Sequence, residues 1–298
     1  MTSLIKEAIT FYKKNRDVIF KLYISFFPIF LVLNFVIQKI SLKINEPLLG
    51  SVQDAATADS FQNLLSADFI QVTRKYLPIL LLLTVLFSFL KYFFNCLIIS
   101  SIAKNDNQIT EKPHLPSIFA IFTTFLLVKL MCFFGFLLFI IPGIIFSVFL
   151  LMVPCILVME NKTGFTSLDR SFHFMKKDMM NIIKNIFSIW IKYLCVVFIA
   201  SICISLLQTV LYAIMKHFSS NTLLTIVDNI FIFINSYVDT VLYMILSILL
   251  QNVFYIYYKR NSDVIQETEQ YKERKYSLED YYREKETSTD DDNDSDAL

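Results

Sequence analysis

The sequence predicts an all-α fold, a polytopic membrane helical bundle of about six transmembrane helices with amphipathic interfacial helices beside them. The chain is 55% hydrophobic and only 18% charged, with a mean hydropathy of +0.55, more apolar than even a soluble domain with a large core requires. The solvent it is built for is lipid. Its apolar residues fall into long runs, and two of these, Ile118–Ile141 and Ile144–Val158, are separated only by Pro142 and Gly143. Roughly 20 apolar residues cross a ~30 Å hydrocarbon core. Ile118–Ile141 meets that requirement, with Lys129 as its one charge. Pro142 has no N–H to continue a helix and Gly143 accepts positive φ without a Cβ penalty, so the pair reads as a tight reversal and the two runs as a helical hairpin. Pro154 breaks the second, shorter run.

The remaining elements follow in chain order. After Ser3 as a plausible cap, Ile5, Ala8, Ile9 and Tyr12 recur at helical spacing opposite Lys6, Lys13, Lys14 and Arg16, the pattern of a short helix lying on a membrane surface. Val18–Ile37 is the first span. No small-x-small cleavage site follows it, so it reads as an uncleaved anchor. The polar stretch Gln38–Tyr76 carries a break at Pro47 and Gly50, and Ser60 or Ser66 caps a short covering helix. Leu77–Ile102 is the second span, and Pro113 and Pro116 mark the connection into the hairpin. Beyond the hairpin, Thr166-x-x-Asp169 approximates a capping box. Leu168, Phe172, Met175 and Met179 then form an apolar stripe while Arg170, Lys176 and Lys177 fall on other faces, which predicts an interfacial helix in the headgroup plane, with Ser171 inside it. Phe187–Leu211 is the fifth crossing, Thr222–Ser236 is amphipathic or interfacial, and Val238–Tyr258 is the sixth span, leaving through the aromatic and cationic FYIYYKR.

Two regions result, a membrane domain over residues 1–258 and a charged cytoplasmic tail over 259–298. The first holds 20 basic and 13 acidic residues, the second 7 and 13. Asn261–Glu286 mixes charges of both signs and is expected to be partly helical, whereas Thr287–Leu298, with DDDNDSD, is expected to be disordered. With the N-terminus inside, the inside segments collect most of the lysines and arginines, and the outside ones hold only Lys39, Lys43, Arg74, Lys75 and Lys216. This asymmetry favours an even number of crossings with both ends cytoplasmic.

No chemistry announces itself. A net charge of +1 argues against a nucleic-acid partner. Cys96, Cys132, Cys155, Cys195 and Cys203 all lie in apolar runs without a CxxC pair, and His114, His173 and His217 lack ligand spacing. No metal site or cofactor is expected, four glycines build no phosphate loop, and paired carboxylates occur only in the tail. The lysines inside spans are the sharpest candidates, because a charge in hydrocarbon is rare and often functional. Lys91 and Lys192 lie ~9 Å from the inner edge of their spans, where a lysine can snorkel. The alternative is one polar cluster of Lys91, Asn95, Lys192, Gln251 and Asn252 at similar depth. Lys129 lies ~17 Å from Ile118, near the midplane, and needs a cavity, a partner or loss of its charge.

The run FIIPGIIFSVFLLMVPCILVMENKTGFTSLDRSFHFM resembles the YciC-type family of multi-pass bacterial inner-membrane proteins through Pro142, Gly143 and Ile144, then Pro154, Glu160, Leu168, Arg170 and Ser171. More loosely it resembles the membrane domains attached to some glycerophosphodiester phosphodiesterases. The likeness covers roughly residues 10–258. It implies an inner-membrane location and about six spans, and it carries over no activity and no catalytic residue. The charged extension Asn261–Leu298 departs from the family pattern, which makes the acidic tail the place for a protein partner beyond the lipid bilayer itself. Together these features lead to the expectation of a non-catalytic protein, structural or accessory in envelope or lipid organisation, with a small-solute or ion transporter as the alternative.

Overall fold

The computed structural model describes the backbone of residues 3–53, 67–106, 115–138, 140–177, 179–215 and 221–291, and side chains within 6–45, 70–106, 115–137, 143–144, 146–176, 180, 182–214 and 225–261. Eight helices lie among the described residues: α1 (Ser3–Gln53), α2 (Ala67–Asn105), α3 (Ile118–Leu138), α4 (Ile140–Leu150), α5 (Val153–Met159), α6 (Phe165–Lys177), α7 (Met179–Met215) and α8 (Asn221–Asp291). Five of them, α1, α2, α3, α7 and α8, are long and apolar enough to cross a membrane, and a shorter apolar stretch covers Phe146–Met159. The protein is an all-α integral membrane bundle.

The centre is a three-helix unit of α1, α2 and α8, with α5 packed on α2 and α7 packed mainly on α8. Phe30 of α1 is fully buried there, edge-on to Phe94 at 5.4 Å, Phe87 at 5.8 Å and Tyr243 at 6.1 Å between ring centroids. Lipid tails are as apolar as these side chains, so the rings gain no hydrophobic driving force by meeting each other. Edge-to-face geometry and close packing are what favour the contact. By the same reasoning α7, whose most apolar window has no buried residue, can leave Phe187, Leu194, Phe198 and Leu206 outward without cost.

The hairpin forms, but Gly143 serves it differently from the expectation. Pro142 lies in the first turn of α4, where a missing N–H is tolerated, and Gly143 is helical. Gly143 faces α3 so closely that an added Cβ would lie 2.6 Å from the Phe136 ring and 2.8 Å from its backbone nitrogen, while one on Gly135 would lie 3.1 Å from Gly143 Cα. Close approach, and not positive φ, is the reason for glycine there. The positive φ angles belong to Asn161 (53°) and Gly164 (60°), in the turn between α5 and α6. Pro154 starts α5 at its second position after a break at Leu151 and Met152. Val153 to Val158 are all buried, so this half of the fourth run is packed in protein.

Several local expectations are corrected by tertiary contacts. The N-terminal surface helix and the first span are one helix, because Ala8, Asn15 and Ile19 are buried inside the bundle and not laid on a membrane surface. The break at Pro47 and Gly50 does not end it, and Ser60 and Ser66 lie outside the described residues. The Thr222–Ser236 segment is continuous with the sixth span within α8, and the tail stays helical past Glu286 to Asp291. The capping box does not form: the Thr166 hydroxyl donates to the Thr163 carbonyl and the Ser167 hydroxyl to that of Gly164. In α6, Leu168 and Met175 are buried and Phe172 half-buried as expected, but Arg170 and Ser171 are buried too, with Phe174. The helix is docked in the bundle on a broader face than the apolar stripe alone would give.

Gly143→Ala is expected to lower stability by about 1–3 kcal/mol, the usual cost of overpacking. It is read as a lower melting temperature in detergent than the parent, and an unchanged melting curve would mean that α3 and α4 separate freely at this point.

Candidate functional site

A polar row runs along the Asp239–Lys259 stretch of α8, where that helix meets α1 and α2. Asp239, Tyr243, Ser247, Gln251, Tyr255 and Lys259 recur at every fourth position, a rise of ~30 Å that winds about 40° round the helix per step at 3.6 residues per turn. Asp239 accepts a hydrogen bond from Gln38 Nε2 at 3.0 Å. Gln38 Oε1 accepts from the Ser236 hydroxyl at 2.9 Å, and Asn34 Nδ2 donates to the Ser236 carbonyl at 3.2 Å. The ring of Tyr243 lies 4.1 Å from the Lys91 ammonium, as does that of Phe87. Ser247 donates to Asn95 Oδ1. Gln251 and Asn252 are buried, and among the described residues their carbonyl oxygens Oε1 and Oδ1 have no hydrogen-bond partner. Tyr255 and Lys259 both reach Asp106 Oδ2, at 3.0 and 2.7 Å.

Of the residues expected to cluster, Lys91 lies against the row at Tyr243 and Asn95 at Ser247, while Gln251 on the row and Asn252 beside it lie one to two turns further along α8. Lys192 does not join them. It is exposed on α7 and borders an apolar groove with Ile9 and Leu249, because α7 touches α8 on a different side from α2. Lys129 is also outward-facing, its ammonium 5.9 Å from the Phe125 ring, and no ion pair reaches it among the described residues. Asp239, Gln38, Asn34 and Thr240 were not singled out from sequence, although the fourfold spacing along α8 was there to be read.

The cavity at the Asp239 end of this row, about 230 Å³, is lined by Lys91, Asp239, Thr240, Asn34, Tyr193 and Tyr243 among others. Thr240 is buried, and among the described residues its hydroxyl has no hydrogen-bond partner. Lys91 and Asp239 border the same space, yet among the described residues neither closes a direct ion pair.

A second polar network ties the end of the bundle that holds the N-terminus. Arg170 Nε donates to both Glu160 oxygens, at 3.1 and 3.0 Å, and the two side chains are only 4% and 9% exposed. The guanidinium lies 5.1 Å from the Phe174 ring, which stacks on Tyr258 at 5.2 Å. Tyr257 donates to the Phe174 carbonyl at 3.1 Å, and the Ser171 hydroxyl to that of Phe149. Asn105 donates to Asn15 Oδ1 at 2.6 Å. The aromatic exit Tyr255–Tyr258, expected as a membrane-interface belt, is thus mostly buried and holds α2, α6 and α8 together. All five cysteines are free, and no group of three metal-ligating side chains lies among the described residues.

Compared with protein-family models, curated proteins and solved structures, the chain has no match.

Removing one member of a buried ion pair strands the other and costs about 3–5 kcal/mol. Arg170→Leu is therefore expected to melt well below the parent in detergent, and Glu160→Leu combined with Arg170→Leu to recover part of that loss. Lys129→Leu is expected to be neutral or stabilising, since it removes a transfer cost on the order of 3 kcal/mol without stranding a partner. A destabilised Lys129→Leu protein would show that the lysine has a structural contact within the bundle.

Proposed function

We propose that this chain is a non-catalytic inner-membrane protein of the YciC-type family, structural or accessory in envelope or lipid organisation, with both ends cytoplasmic. The observation that carries the non-catalytic reading is the use made of its buried carboxylates. Asp106 is taken up by Lys259 and Tyr255, and Glu160 by Arg170 and Lys162. A general acid or base needs a carboxylate within reach of substrate, and these two hold helices together instead. The orientation rests on the excess of basic residues in the inside segments. An even number of crossings counts α4 and α5 as one: Ile140–Met159 has a rise of ~30 Å at 1.5 Å per residue. The resemblance around Pro142, Pro154, Glu160 and Arg170 supports the family, and Glu160 and Arg170, two of its matching positions, are the pair that docks α6.

The second reading, a small-solute or ion transporter, is favoured by the cavity between Lys91 and Asp239. Its version with Lys129 at a midplane site has lost its support, because that side chain is outward-facing.

A reporter fused after Arg260 is expected to read as cytoplasmic, and a periplasmic signal would make the crossings odd and sink the topology. In a strain lacking the gene, the full chain carrying Lys91→Met or Asp239→Asn, present in the membrane at parental level, is expected to restore whatever envelope phenotype the deletion shows. Failure to restore it at that level would transfer the assignment to the transporter.

A further inference from the structure

We propose that the cavity at Lys91 and Asp239 binds a small zwitterion that carries one ammonium and one carboxylate, of amino-acid size. The inference concerns binding and goes beyond the accessory role; it holds whether or not the bound molecule is moved. Two opposite charges border one space of about 230 Å³ without closing on each other, room for about eight waters at ~30 Å³ each or one molecule of comparable size. Each charge is restrained from its own side. Two rings at 4.1 Å flank the Lys91 ammonium, and among the described residues no oxygen accepts a hydrogen bond from it. Gln38 takes Asp239 Oδ2, and Gln38 is itself held by Ser236.

Electrostatics selects the ligand class. At low effective dielectric an unscreened charge interaction grows several-fold over its value in water. A simple anion on Lys91 meets Asp239, and a simple cation on Asp239 meets Lys91. A zwitterion satisfies both at once, its carboxylate toward Lys91 and its ammonium toward Asp239. Thr240 borders the same cavity and is 2% exposed, and its hydroxyl oxygen is packed away from that space without a hydrogen-bond partner among the described residues. A wider cleft of about 870 Å³, lined by Lys39, Asp228, Asn229 and Asn235, lies one to three turns further along α1 and α8, beyond the hydrogen bonds of Gln38 with Ser236 and Asp239.

The test uses the full chain in phospholipid nanodiscs, followed by thermal unfolding in the presence of glycine, alanine, serine or γ-aminobutyrate, with acetate and methylammonium as single-charge controls. A saturable rise in melting temperature at millimolar concentration is expected with at least one of the four amino acids and with neither control. The rise should vanish in Lys91→Met and Asp239→Asn. If a charge variant does not fold, the parent protein's response to the six compounds decides by itself. No response to any amino acid overturns the proposal, as does an equal response to acetate, or a rise that never saturates and persists in the variants, which is the signature of solute exclusion from the surface. Complementation is read separately, so a failed binding assay refutes the site and leaves the accessory role as it stood.

Discussion

The structure depends on a constraint that lipid imposes: apolar side chains gain nothing by choosing a neighbouring helix over an acyl chain. Polar side chains do choose, because an unpaired polar group in hydrocarbon is costly. The row from Asp239 to Lys259 on α8 meets Gln38 on α1 and Lys91, Asn95 and Asp106 at the N-terminal end of the bundle or along α2. Those contacts set which face of α8 turns inward and how far it can slide. The aromatic cluster around Phe30 then fills the space that the polar contacts define.

The same constraint explains why α5 and α6 fold back on the bundle. A seven-residue helix is too short to be stable alone, and α5 persists because it is buried on every side between α2 and α8. Asn161 and Gly164 turn the chain, and Arg170 returns to Glu160 ten residues earlier. A buried ion pair of this kind adds little net stability over an apolar pair, but it tolerates few alternative geometries. Here it specifies the docking of α6, with Ser171 and Tyr257 as further pins.

Three lysines in apolar runs show how little residue type says without packing. Lys91 lies between two rings beside a cavity, Lys129 faces outward over Phe125, and Lys192 borders an apolar groove. Their sequence surroundings are similar, and their depths had separated Lys129 from the other two. Which helix faces which neighbour separates Lys91 from both.

By itself the sequence determined the solvent of the protein, its all-α class, the long apolar helices and the hairpin at Pro142, because length, hydropathy and a missing N–H are local properties. It also held Asn95, Gln251 and Asn252 as polar residues in spans, with Lys91, and the fourfold spacing from Asp239 to Lys259 along one helix. Only the tertiary structure decided which of these meet. A polar residue's partner lies far away in the chain, as Asp239 lies 201 positions from Gln38, and no periodicity within one helix reports the rotation of another. For the same reason Arg170 read as a headgroup-facing charge: its inward turn is set by Glu160 on the far side of a reversal. Gly143 read as a turn residue because positive φ is the commoner use of glycine, whereas the close approach of Phe136 that requires it exists only once α3 and α4 have packed.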